Sequence, residues 1–335
     1  IPKPFDPRLM GVVAGSVAKA GMETGVATRP MADLAAYKAK LDSSVFRSAM
    51  LMRPVFEAAK SASRRIVFAE GEDERVLRAS QAIMEETTEV PILIGRPEVI
   101  EARCERFGLP IRPGVDFQVV NPENDPRYRE YWETYHALME RRGVTPDVAK
   151  AVLRTNTTAI AAVMVHRGDA DTMVCGAFGQ PLWHLNYVRQ ILARGGLHPV
   201  GALSLIIQSA GPLFIADTQV NAEPTPQQIA ETAIGAVRHA RRFGVTAKVA
   251  MCSHSQFGTL ETSSGRRMRE ALEIMDSMEL DFEYEGEMAV DAALDEELRT
   301  RMFPHSRLSG AANILIFANT DASGAVRNIL KTRAG

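Results

Sequence analysis

One stretch limits the possible folds more than any other: residues 213–258, whose segments run LFIAD, TQVNAEPTP, QQIAETAIGAVRHARRFG, VTAKVAM and CSHSQFG. The apolar run closed by Asp217 predicts a buried strand with a carboxylate at its C-terminal end. Thr225, Pro226 and Gln228 form a capping-box signature with proline at the first helical position. Ile229, Ala233, Ala236, Val237 and Ala240 follow at helical spacing, and Gly244 supplies the stop. Strand, helix, strand in this order predicts a right-handed βαβ unit of a parallel sheet. Ligands of such sheets sit beyond the strands' carboxyl ends, here 217–221 and 253–258.

The chain has 335 residues, room for two domains, and a formal net charge of -2. That balance gives no basic footprint for nucleic acid, and no run reaches the ~20 apolar residues that span a bilayer. Cys104, Cys175 and Cys252 are scattered without a CxxC pair, as expected of thiols in a reducing cytoplasm. There is no initiator Met, and the ends IPKPFDPRL and KTRAG read as those of a fragment or of a trimmed chain.

Residues 1–50 carry one or two helices leading into the main body, and 52–60 carry another. IVFAE is a strand, and Glu70, Glu72 and Asp73 precede a helix over 74–84, where acidic residues suit the dipole. PILIG (91–95) and FQVV (from 117) are further strands. Tyr128, Tyr131, Trp132, Tyr135 and Leu138 share a helical face and read as core or interface more readily than as an adenine shelf. Small residues dominate from Thr155, which marks the domain crossover. After the strand TMVCGA, Gly176, Ala177 and Gly179 leave a tight turn with exposed backbone, able to receive a phosphate or a pantetheine arm. Residues 200–208 and 213–217 predict an antiparallel hairpin across Gly211-Pro212. Arg266 and Arg267 precede a helix over 268–278, either as phosphate ligands or as solvated charges. AANILIFANTDASGAVRNIL (311–330) is a strand, a polar loop and a helix that returns the chain to the first domain. No Ser-His-Asp, HExxH, GxGxxG or Walker pattern is present, and the seven histidines lie in unrelated contexts, each read as structural.

The segments RRIVFAEGEDERVLRAS, PILIGRPEVI, RRGVTPDVA, GDADTMVCGA, FIADTQVNAEPTPQQIAETAIGAVRHARRFGVTAKVAM, VDAAL and GAANILIFANTDASGAVRNIL resemble, in this order, the phosphate acetyltransferase (phosphotransacetylase) family over nearly all of 50–330. The resemblance implies two α/β/α domains with mostly parallel sheets, the second inserted into the first: 51–154, then 155–304, then a return at 305–335. It also implies coenzyme A in the cleft and a homo-oligomer formed through the second domain. IPKPFDPRL, VATRP and the Phe-Arg-Ser element within 1–50 resemble the junction in large bacterial NADP-dependent malic enzymes, which end in a phosphotransacetylase-like module. NADP and a divalent metal would then belong to attached malic enzyme domains outside this chain.

The turn after Gly176-Ala177 departs from the family pattern: it reads FGQPLWHLNYVRQ, with Trp183 and Tyr187 expected to crowd the phosphate side and the arginine displaced to Arg189. Ala318-Asn319 replaces a Pro-Asp pair, and the Ser-Arg pair and later Asp that carry transfer belong to a closing segment beyond this chain. The resemblance therefore implies a non-catalytic acetyl-CoA site drawing on Arg96, Arg141, Arg142, Thr155, Asn156, Gly176, Ala177, Gly179, Asn319, Ser323 and Gly324. Acetyl-CoA would act as effector of the attached enzyme. An active acetyltransferase and an assembly-only module are the alternatives.

Overall fold

The computed structural model describes residues 10–31, 33–87, 89–193 and 200–333; the opening IPKPFDPRL and the final Ala-Gly lie outside them. The chain divides into two compact units, one formed by 57–200 and the other by 1–56 together with 201–335. Helices α1 (Gly15–Glu23) and α2 (Leu34–Ser61) come first. The helix expected at 52–60 is the end of α2, which runs on through Pro54.

In the 57–200 unit, strands β1 (Ile66–Phe68), β2 (Ile92–Ile94), β3 (Gln118–Val120) and β4 (Thr172–Val174) form an all-parallel sheet in the order β3-β2-β1-β4. Alternation along the strands builds three layers. Val67, Ile92 and Ile94 face one core, while Phe68 and Leu93 face the other. The second core is completed by α3 (Glu74–Glu86) and α4 (Pro97–Phe107) through Leu77, Ile100 and Cys104. The first takes α5 (Tyr128–Met139), α6 (Pro146–Thr155), α7 (Thr157–Arg167) and α8 (Pro181–Leu192). Tyr131 and Tyr135 are buried there, so the aromatic face of α5 is core. Every residue from Thr158 to Met164 is buried, which makes α7 the central helix of this unit. The small residues that suggest a crossover at Thr155 are the packing surface of that helix, and the division falls at 200/201 instead.

One ion pair ties the edge of this sheet. Asp171 accepts from the Arg65 backbone N–H at 2.8 Å and from its Nη2 at 2.9 Å, and the guanidinium holds the carboxyl at about 2, below its ordinary 3.8. A carboxyl depressed on folding adds stability above its unfolded pKa and loses it as the pH falls through the folded one. Asp171→Asn is therefore expected to lower the melting temperature at pH 6. The deficit should shrink between pH 4 and pH 2, and a deficit constant over that range would refute the pairing.

In the other unit, β5 (Leu203–Gln208), β6 (Gly211–Ala216), β7 (Lys248–Cys252), β8 (Glu283–Met288) and β9 (Ile314–Phe317) form a sheet in the order β5-β6-β9-β7-β8. β5 and β6 make the antiparallel hairpin, and the other neighbours are parallel. Helix α9 (Pro226–Arg241) opens on the capping box, Thr225 accepting from Gln228 N and Gln228 accepting from Thr225 N. It packs with α10 (Ser263–Asp276) on one face. On the other face lie α11 (Val290–Leu294), the loop around Leu308 and α13 (Thr320–Arg333), with α12 (Glu296–Met302) between α11 and that loop.

Two sequence expectations change here. The βαβ unit exists, but β9 lies between its two strands. The same pairing puts residues 305–335 in the C-terminal sheet rather than back in the first one, so 57–200 is the continuous unit. The two α/β/α layerings with mostly parallel strands stand as expected. Among the described residues no single helix is long and apolar enough to cross a membrane.

Candidate functional site

In the 57–200 sheet the chain runs β1, β2, β3 to one side and returns to β4 on the other, so strand order reverses between β1 and β4. Open parallel sheets bind ligands outside the carboxyl ends at such a point. A cavity of about 470 Å³ lies there. Ala69, Glu70, Glu72 and Asp73 line it from the end of β1, and Gly95 and Arg96 from the end of β2. Pro122 and Glu123 line it after β3, Thr157 at the start of α7, Phe178 after β4, and Arg103 and Arg154 from α4 and α6.

The acidic residues after β1 each have a separate task. Asp73 caps α3, accepting from Arg75 N at 2.9 Å, and the Arg75 guanidinium holds its carboxyl below the usual range. Glu72 takes a two-pronged contact from Arg96, Nε and Nη2 each at 2.9 Å, which likewise holds its carboxyl low against the opposing cost of burial. Arg103 Nη1 donates to Glu72 O. Arg154 Nη1 donates to Pro122 O at 3.0 Å and to Glu123 O, with the guanidinium carbon 3.8 Å from the Tyr128 ring centre. Among the described residues, Nε and Nη2 of Arg103 and Arg154 meet no acceptor, so planar forks suited to phosphate or carboxylate line the cavity.

Glu70 lines the cavity and also joins two strand ends. It is 5% exposed and accepts from Gly176 N at 3.0 Å, bridging the ends of β1 and β4. The loop after β4 is held twice more: Arg75 Nη2 donates to Ala177 O, and His184 Nε2 lies 2.7 Å from Phe178 O. His184 is 4% exposed, and its Nδ1 meets Thr158 Oγ1 at 2.7 Å. Gly176 and Gly179, at φ +96° and +88°, supply the left-handed backbone that this turn requires.

Of the residues expected in the site, Arg96 lines the cavity, Gly176, Ala177 and Gly179 flank its Phe178 wall, and Thr155 and Asn156 precede its Thr157. Asn156 is the N-cap of α7, accepting from Ala159 N at 2.8 Å, and Thr155 Oγ1 donates to Ala151 O. Arg141 and Arg142 end a 3-10 turn outside the lining, the Arg141 side chain 95% exposed. Trp183 and Tyr187 are also absent from the lining. Trp183 stacks edge-on against His184 and Tyr187, and Phe178 occupies the wall those two were expected to fill.

Asn319, Ser323 and Gly324 belong to the other unit. Asn319 Oδ1 accepts from Ala322 N at 3.0 Å in the first turn of α13, and Ser323 Oγ donates to Asp217 O at 2.5 Å. Asp217 accepts from the backbone N–H groups of Ala202, Gln219, Val220 and Asn221 and from Asn221 Nδ2, so its carboxylate organises its own loop. Arg267, one turn into α10, donates to Ala318 O at 3.2 Å and pairs with Glu223 at 2.6 Å. Among the described residues no group of three or more His, Cys, Asp or Glu is placed to hold a metal ion.

Sequence reasoning missed Glu70, Thr158, His184, Arg103 and Arg154. Glu70 was hidden in a cluster that the helix dipole explains, and a lone histidine gives no signal until its neighbours are known.

The all-parallel sheet of this unit thus carries an arginine-bearing cavity at its switch point, where open α/β sheets hold their ligands. The model of the phosphate acetyl/butaryl transferase family matches residues 50–335, and the chain belongs to that family. It is 50% identical over 334 residues to an NAD-dependent malic enzyme of Rhizobium meliloti, a match covering 99% of this chain and 43% of that protein. An NADP-dependent malic enzyme of Salmonella typhimurium is 47% identical over 332 residues, again 99% of this chain and 44% of the relative. A solved phosphotransacetylase from Streptococcus pyogenes superposes with a TM-score of 0.78 at 26% identity, covering 84% of this chain and 85% of that one. The chain thus corresponds to the phosphotransacetylase-like part of such malic enzymes, and spans less than half the length of these relatives.

Proposed function

We propose that this chain is an acetyl-CoA-binding regulatory part of a cytoplasmic malic enzyme, whose oxidative decarboxylation of malate is performed by attached domains using a nicotinamide coenzyme and a divalent metal. The observation that carries the reading is the cavity at the ends of β1–β3, with free guanidinium edges on Arg103 and Arg154. Phosphate groups of a coenzyme A ester suit those edges, and the resemblance to malic enzymes supplies something to regulate. Regulation follows only if the ester prefers one of two arrangements of the whole enzyme. Self-association through residues within 155–304 belongs to the same reading.

Titration calorimetry of the purified chain with acetyl-CoA is expected to show one site. Arg103→Ala and Arg154→Ala should each weaken it by about tenfold, the scale of one charge-assisted hydrogen bond. Undiminished binding in both variants would remove the cavity from the account.

A second reading, an active acetyltransferase, is favoured by one observation: Trp183 and Tyr187 leave the cavity open. An assay with acetyl phosphate and coenzyme A separates the two, since the regulatory reading expects no turnover.

A further inference from the structure

Glu70 is a buried carboxylate left short of donors. Its side chain is 2% exposed, and it borders the cavity. Oε1 accepts from Gly176 N at 3.0 Å, and the nearest imidazole nitrogen, His184 Nδ1, lies 3.6 Å away, beyond hydrogen-bond reach. Phe178 O can only accept, so His184 Nε2, 2.7 Å away, carries a proton. In the neutral ring Nδ1 is then a lone pair, occupied by the Thr158 hydroxyl at 2.7 Å. That lone pair and Glu70 Oε1 face each other at 3.6 Å as two acceptors. Among the described residues nothing donates to Oε2. An ionised carboxylate offers about four acceptor positions, and Oε2 is not among the buried unpartnered atoms, so its positions stay open to a donor arriving in the cavity.

The geometry points to Glu70 as the cavity's acceptor for a hydrogen-bond donor on the ligand. This rests on the reading of the cavity as a coenzyme A ester site and adds a second end to it. Arg103 and Arg154 take anionic groups near the ends of β2 and β3, and Glu70 takes a donor at the β1/β4 end. The matching ligand carries phosphate at one end and an amide N–H, hydroxyl or thiol on an arm. A thioester has no donor of its own, so in acetyl-CoA the amide or hydroxyl groups of the arm meet Glu70.

Glu70→Gln keeps an oxygen for Gly176 N and turns an N–H toward the cavity, replacing acceptor by donor. The test is calorimetry of wild type and E70Q with acetyl-CoA, coenzyme A and adenosine 3′,5′-bisphosphate, which lacks the arm. The expected result is a loss of tenfold or more for both armed ligands, with the bisphosphate within twofold of wild type. Equal loss for all three, or none, overturns the assignment. Should E70Q not fold, Glu70→Asp withdraws the carboxylate by one methylene and reads the same contact. Wild type that binds none of the three ligands overturns the coenzyme reading and this assignment with it. Nitrogen NMR of His184 in the free protein gives a ligand-independent arm: a ring protonated on Nε2 alone supports the assignment. A ring protonated on both nitrogens at pH 7.5 would satisfy Glu70 internally and overturn this assignment alone.

Discussion

Arg299→Ala is expected to destabilise the C-terminal unit by about 4 kcal/mol, the scale for removing one member of a buried polar network. Arg299, in α12, is the largest side chain with no exposure at all among the described residues. Among the described residues its guanidinium bonds to no carboxylate. It donates instead to Ala292 O at 3.0 Å, Leu308 O at 3.2 Å, Gly310 O at 2.5 Å and Ser306 Oγ at 3.1 Å. One side chain therefore satisfies carbonyls from α11 and from the loop that leads into β9. Its loss strands those acceptors away from water, each at about 1–3 kcal/mol if no water enters. Arg299→Met, which keeps most of the volume, should fare little better than alanine in urea unfolding. A methionine variant as stable as wild type would show that Arg299 acts by filling space.

The second large effect lies at Gly71. A Cβ there would stand 2.8 Å from Ile94 O and 2.8 Å from Leu93 Cβ, both parts of the strand next to it. Neither is a flexible tip, so Gly71→Ala must push the β1–α3 loop away from β2 at about 2–3 kcal/mol. The loop carries Glu70 and Glu72, and Gly71 N itself donates to Ile94 O at 3.0 Å. The expected outcome is a lower melting temperature together with weakened acetyl-CoA binding. Wild-type affinity in the folded variant would show that the site tolerates displacement of this loop.

The strands and caps were legible because their causes are local. Thr225 and Gln228 cap α9 as their spacing requires. The unbroken apolar runs IVF and ILI mark strands that are covered on both faces. The order of parallel strands is not local. Nothing in ILIF says that β9 will separate β6 from β7, because every neighbour it takes is reached by a crossover. The site was half legible for the same reason. Gly176 and Gly179 show a turn by their type, whereas the partner of Gly176 N is 106 residues upstream. Glu70, Glu72 and Asp73 look alike in the sequence. They separate into a bridge between strands, an arginine partner and a helix cap only once the chain is folded.

The turn after β4 hangs from three anchors: Glu70 at Gly176, Arg75 at Ala177 and His184 at Phe178. Consecutive peptide units are moored to separate parts of the scaffold, so a guest arriving there meets a wall whose shape is already settled. Little entropy then remains to be surrendered on docking, and a single lost mooring leaves two to keep the wall standing.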